Sequence, residues 1–291
     1  MNYSEAVEVC RRIHHEYGTS YYWATRLFPR EIREATHVLY AFFRVPDEMV
    51  DTVTGAKHLR DQYQVAQMTE GLSSLESLRV WQAAWQESGK GTVHDPVLSA
   101  ARELFQRYHI PEHYATDFLQ AMQQDLTCSR YGTYEDLTRY MYGSAAVVGL
   151  MMTYVIGFTS PEALPYAEKL GYAMQLTNFL RDIREDFEER GRIYLPQDEL
   201  KQFGLSDDDI ENHIADERFM AWMQFQIARA DALYEEANQG IALLHPRGRR
   251  GVRAGSDLYR LILRKIEQQG YDIYRQRART SMFEKIKAIF L

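Results

Sequence analysis

The chain has 291 residues, enough for one large domain or two small ones, and its 45% apolar content is ordinary for a globular protein. A formal net charge of −7 argues against a nucleic-acid footprint. Cys10 and Cys128 are the only cysteines, too few for a disulfide framework or a thiolate metal site, which points to a reducing cytosol.

Taken in chain order, residues 5–17 mix apolar and charged side chains at helical spacing, with no signal-peptide apolar run and with Gly18 as a stop. Pro29 suits a first helical turn, and Glu31 and Glu34 follow near the positive helix end. That helix is expected to run through Tyr40 and Phe43, with Pro46 interrupting and kinking it just before Asp47. Thr54-Gly55 reads as a break, followed by helices over about 58–69 and 75–87 and a loop at 89–91. Pro96 and Pro111 open further helices, and Thr133 caps another, with Glu135 and Asp136 in its first turn. Residues 143–158 carry no charge but fall short of the ~20 needed for a membrane span. They read as a buried central helix whose small residues allow close approach or leave room for a ligand. Pro161 opens a helix that Gly191 ends, and 192–196 form an extended link. Ser206 with Asp207 and Asp209 begins another helical region. A long helix is expected over 213–244, a break at 245–248, and a final helical pair from Val252 to the end. No alternating strand pattern, internal period or low-complexity linker appears, so the expectation is one all-α domain over 1–291.

Two acidic pairs stand out in this pattern: Asp47 with Asp51, and Asp182 with Asp186. Residues four apart on a helix are stacked neighbours, so each pair repels itself unless a cation lies between. Mg²⁺ takes oxygen ligands and commonly bridges one or two carboxylates to substrate phosphates. Arg44 and Arg181 each sit in the turn before an acidic pair, and arginine matches phosphate geometry bidentately. Gln175 and Asn178, within two turns before Asp182, add groups for phosphate oxygens or metal-bound waters. A lone Asp-x-x-x-Asp is usually a solvated helix face. Here Leu176, Phe179, Leu180 and Ile183 surround the second pair with packing residues, and buried acids need partners. The combination reads as a site for hard divalent metals and a phosphate-bearing ligand.

At these residues the chain resembles the squalene/phytoene synthase family, most closely its bacterial phytoene-synthase branch. Residues 47–51 are similar to the family's first acidic motif, and residues 175–198 to the second motif and its tail. Residues 140–149 resemble the central pocket helix, residues 18–22 the N-terminal segment that touches diphosphate, and residues 270–274 the C-terminal signature. The resemblance spans nearly the whole chain. It implies an all-α isoprenoid-synthase helical bundle around a central apolar cavity, with Mg²⁺, or Mn²⁺, at the mouth. Asp47, Asp51, Asn178, Asp182 and Asp186 fall at metal-holding positions. Ser20, Tyr40, Arg44, Gln175, Asn178, Arg181 and Tyr259 fall at diphosphate or metal-shell positions, and Tyr21, Tyr140, Ala145, Val148 and Gly149 at the prenyl cavity.

The activity implied is head-to-head condensation of two geranylgeranyl diphosphates through a cyclopropyl diphosphate. The alternatives are a C30 synthase using two farnesyl diphosphates and, from another class, a non-catalytic prenyl-lipid-binding protein. No glycine-rich dinucleotide fingerprint appears, and no NADPH is expected. The location implied is cytoplasmic, with peripheral contact on the inner face of the membrane. Residues 282–291, which mix an apolar face with two lysines, are a candidate for that contact, against the plainer reading of a packed last helix. The C-terminal anchor of eukaryotic squalene synthases is not expected.

Several positions depart from the family pattern. Pro46 precedes the first motif, Gly18 stands where relatives carry serine, and Arg275 and Arg277 replace a paired arginine, leaving open which one reaches phosphate. Tyr40 and Tyr259 read equally well as core tyrosines. Thr25 and His37 lie where C30-making relatives carry bulky aromatics, so smaller side chains there imply a deeper cavity.

Overall fold

The computed structural model describes residues 2–51, 53–91 and 94–281, apart from the side chains of residues 19–21 and 53. Among them are fourteen α-helices: α1 (Tyr3–Tyr17), α2 (Thr19–Thr25), α3 (Arg30–Asp51), α4 (Val53–Tyr63), α5 (Ser74–Ser88), α6 (Pro96–Tyr108), α7 (Glu112–Asp125), α8 (Tyr134–Met141), α9 (Val147–Ile156), α10 (Ala163–Arg190), α11 (Gln197–Gln202), α12 (Asp207–Glu211), α13 (Glu217–Gln239) and α14 (Pro246–Gln268). Extended pairing among the described residues is limited to two isolated bridges, Arg130 with Ile193 and Phe158 with Leu244.

Local chemistry accounts for most helix starts. Asn2 with Glu5, Ser73 with Glu76, Thr133 with Asp136 and Ser206 with Asp209 form reciprocal capping boxes. Asp95 caps α6 ahead of Pro96. The apolar stripes these helices present then meet in one core, in which Phe42, Trp81, Phe105, Trp222 and Tyr234 are fully buried.

The long helices α3 and α10 position the site. α10 packs along α13 and also meets α9 and α14, while α3 packs on α1, α6 and α7. The uncharged stretch is helical and largely buried, as the composition implies, but it opens with a π-helical segment, Tyr142–Ala146, before α9. Gly149 faces α10 so closely that a Cβ there would fall 2.6 Å from the Ala167 carbonyl oxygen.

Five expectations need correction. Pro46 lies inside α3 and does not interrupt it. The ring removes one donor, and the packed turns on either side, with Phe42, Val45 and Met49 buried, carry the helix through. Thr54 and Gly55 belong to α4 and are not a break. The long helix begins at Glu217, capped by Asp216, so 213–216 are not part of it. Pro246 opens α14 where a break was expected, and residues 269–281 are not helical. The candidate membrane segment 282–291 lies outside the described residues.

Candidate active site

α3 carries Tyr40, Arg44, Asp47 and Asp51 on successive turns, and α10 does the same with Gln175, Asn178, Asp182 and Asp186. All eight line one cavity of about 610 Å³. Its depth is walled by apolar side chains that include Leu39, Phe118, Val148, Met152, Leu170 and Met174. Tyr140, Ala145, Gly149, Arg181 and Tyr259 also line it. Ser20 and Tyr21 are in α2, with side chains outside the described set. Thr25 lines the cavity, but His37 does not. Its Nδ1 lies 2.9 Å from Nδ1 of the buried His14.

Five arginines reach this mouth. Arg44 donates to Asp47 at 2.6 Å and to the Tyr40 hydroxyl at 3.3 Å. Arg181 grips Asp182 through two bonds, of 2.8 and 2.5 Å. Arg277 also donates to Asp182, at 2.8 Å, and approaches Glu185 at 3.2 Å. Arg190 grips Asp51 at 2.9 and 3.1 Å and stands 3.6 Å from Asp186. Arg192 comes within 3.7 Å of Asp51.

The turn after α10 places Arg192. Gly191 adopts a left-handed backbone, φ 62°. Its N–H donates to the Phe187 carbonyl while the Arg192 N–H reaches back to that of Asp186. The side chain of Arg192 then donates to the Tyr194 hydroxyl and to the main-chain oxygen of Asp125. The Asp125 carboxylate accepts from Tyr140 at 2.7 Å and from Tyr194 at 3.2 Å. Tyr194 stacks on Phe179 with ring centres 4.2 Å apart.

The two acids of the α10 pair differ electrostatically. Burial, reinforced by Asp182, pushes the Asp186 carboxyl up to about 8 despite Arg190. Burial also pushes Asp182 upward, but Arg181 and Arg277 outweigh it and hold this carboxyl below its usual value. Burial raises the Asp125 carboxyl to about 7 against the pull of Arg192.

Among the described residues no three His, Cys, Asp or Glu side chains form a ready-made metal cluster. The donor chemistry nevertheless fits a hard divalent cation. The four carboxylates of the two acidic pairs share one mouth, and the buried Oδ1 of Asn178 has no hydrogen-bond partner. Mg²⁺ is typically held by few protein carboxylates with substrate phosphates completing the shell, so a protein-only cage is not required.

Sequence reasoning missed Arg190, Arg192, Tyr194 and Asp125. Arg190 carried a signal, one turn after Asp186, whereas Arg192 and Tyr194 lay in the extended link that resembles the second motif's tail, without a role of their own. Nothing in the sequence near Asp125 joins it to this site. Of the two C-terminal arginines, Arg277 lines the cavity, while Arg275 pairs with Asp272 and its side chain is 89% exposed.

The squalene/phytoene synthase family profile matches residues 14–284. A 15-cis-phytoene synthase from Synechococcus elongatus is 36% identical, covering 97% of this chain and 91% of its own. A phytoene synthase from Arthrospira platensis is 34% identical over 98% and 92%. Among solved structures, a dehydrosqualene synthase in complex with a ligand superposes with a TM-score of 0.85 at 27% identity, covering 99% of this chain and 95% of that one. The squalene synthase HpnC from Alicyclobacillus acidocaldarius gives 0.79 at 25% identity, over 92% and 95%. Matched along nearly its whole length, the chain belongs to the squalene/phytoene synthase family, prenyltransferases of isoprenoid and carotenoid biosynthesis that join prenyl diphosphates head to head.

Proposed function

We propose that this chain joins two geranylgeranyl diphosphates into a C40 hydrocarbon, with all of residues 1–291 serving as one catalytic domain. The observation that carries this reading is the meeting of both acidic pairs at one mouth of a deep apolar cavity. The phytoene synthases among its relatives support the C40 product over a C30 one.

In this reading Asp47, Asp51, Asp182, Asp186 and the free Oδ1 of Asn178 hold Mg²⁺, or Mn²⁺. A metal held there would supply positive charge to the diphosphate leaving group. Arg44, Arg181 and Arg277, paired with carboxylates in this structure, would offer their guanidinium groups to phosphate oxygens. Ser20, Tyr40, Gln175 and Tyr259 complete the diphosphate shell. Tyr21, Tyr140, Ala145, Val148 and Gly149 border the prenyl chains, and the apolar wall keeps water from the allylic cation. The final proton loss needs no hydride donor, so NADPH is not part of the scheme.

Among the described residues no helix is long and apolar enough to cross a membrane. A cytoplasmic protein resting peripherally on the inner membrane face, without nucleic-acid partners, suits a hydrocarbon product. Incubation of the purified chain with geranylgeranyl or farnesyl diphosphate and Mg²⁺, with and without NADPH, tests the scheme through the mass of the hydrocarbon. A C40 product independent of NADPH supports it. The likeness to a dehydrosqualene synthase gives the second reading, and a C30 product formed in preference would establish that one instead.

A further inference from the structure

Among the glycines that line or border the cavity, the four within 240–255 divide into two kinds. A Cβ on Gly240 would collide with the Tyr166 ring, one on Gly248 with Ile156, and one on Gly251 with the Phe28 ring. In each case a side chain of another segment already fills the space that the glycine leaves. Gly255 differs. It lines the same cavity from α14, yet nothing lies within 4 Å of where its Cβ would stand. That residue sits in a helix interior, where alanine is the more favourable choice and would fit without a clash.

Its place along α14 says what the empty space adjoins. Tyr259, one turn onward and ~6 Å along the axis, lines the cavity together with Arg44, Arg181 and Arg277. Gly251, one turn back, is sealed by Phe28. Gly255 therefore lines the cavity between Tyr259 and the sealed position at Gly251, and in the condensation reading the reacting ends of two prenyl chains lie side by side there.

We propose that Gly255 is a specificity-determining residue that keeps room for the second prenyl chain beside the first. This rests on the condensation reading above. With that room filled, one substrate still binds and ionises, but its cation meets water before a partner alkene. The carbon–oxygen bond to diphosphate breaks, water oxygen bonds to the allylic carbon, and a proton is released, giving the prenyl alcohol and free diphosphate.

The test compares wild type, Gly255→Ala and Gly255→Val with geranylgeranyl diphosphate and Mg²⁺, measuring diphosphate, hydrocarbon and prenyl alcohol. Coupled turnover releases two diphosphates per hydrocarbon. The ratio is expected to rise above two in Gly255→Ala and further, by tenfold or more, in Gly255→Val, with prenyl alcohol making up the difference. The Gly255→Ala protein is expected to melt ~2 °C higher, because the methyl has room and alanine favours the helix. That rise keeps the alanine variant informative if the valine one fails to fold. A ratio that stays at two in Gly255→Ala overturns the proposal, whether its rate is unchanged or diphosphate and hydrocarbon fall together. Wild-type protein making no hydrocarbon from either prenyl diphosphate would overturn the condensation reading itself, a separate outcome.

Discussion

Arg190 on α10 holds Asp51 on α3 through two hydrogen bonds, of 2.9 and 3.1 Å, and so ties the two acidic helices together across the cavity mouth. The same guanidinium stands 3.6 Å from Asp186. It occupies the position between carboxylates that a divalent cation would claim, and metal binding must compete with it. Arg190→Gln is expected to lower stability in EDTA by ~2 kcal/mol, since charged hydrogen bonds are lost and two acids are left facing each other. Mg²⁺ should then recover more stability in the variant than in wild type. Urea unfolding with and without Mg²⁺ measures both, and equal Mg²⁺ effects in the two proteins would refute the competition.

The acidic pairs are expected to matter through charge more than shape. Asp47→Asn, Asp51→Asn, Asp182→Asn and Asp186→Asn should each lower turnover by ~100-fold or more, on the scale seen when one preorganised electrostatic group is removed. Circular dichroism should show the helices intact. Near wild-type turnover with normal Mg²⁺ dependence in both Asp47→Asn and Asp182→Asn would remove these residues from the metal site.

Arg181→Lys tests geometry at constant charge. Arg181 uses two nitrogens at once on Asp182, and that planar fork is what phosphate recognition would reuse. Single-turnover kinetics should show the ionisation step slowed ~10-fold or more. An unchanged rate in the lysine variant would take Arg181 out of the diphosphate shell.

Cavity depth should set chain length at Thr25 and not at His37. Thr25 is 1% exposed and faces the cavity, its hydroxyl donating to the Tyr22 carbonyl. His37 is turned to His14. The five extra carbons of geranylgeranyl over farnesyl diphosphate are worth at most ~0.8 kcal/mol each when buried. Wild type should therefore favour the longer substrate, and Thr25→Phe should shift preference toward the shorter one. Competition assays giving equal shifts for Thr25→Phe and His37→Phe would show that the cavity does not discriminate in this way.

Much of this arrangement was legible before the fold. Helical period placed Asp47 near Asp51 and Asp182 near Asp186, because four-residue spacing on a helix is itself geometry. The capping boxes at Thr133 and Ser206 marked true helix starts for the same reason: the signal is local. Arg192 and Tyr194 were legible as part of the second motif's tail, but their meeting with Asp125 was not, since it depends on the turn after Gly191 and on where α7 ends in space. Pro46 misled because local preference gave way to packing on both sides of it. His37 misled because a position in an alignment does not say which way a ring turns, and His14 provides a partner outside the cavity.

Proton uptake offers the last test, because Asp186 is held near 8 by burial and by Asp182. A carboxyl whose pKa is raised by folding binds its proton more tightly in the folded state. Its contribution to stability is full below the ordinary carboxylate range and is lost as pH rises through about 8. Asp125, held near 7, acts in the same direction. The melting temperature in EDTA is therefore expected to fall between pH 5 and pH 8.5, and to fall less in Asp186→Asn, which has no proton to lose. Mg²⁺ requires the ionised carboxylate, so it should displace the proton at pH 6 and raise the melting temperature more at pH 8 than at pH 6. Differential scanning calorimetry across this range decides the matter. A melting temperature that rises with pH in EDTA, or an Asp186→Asn protein with the wild-type slope, would show that Asp186 does not carry the proton.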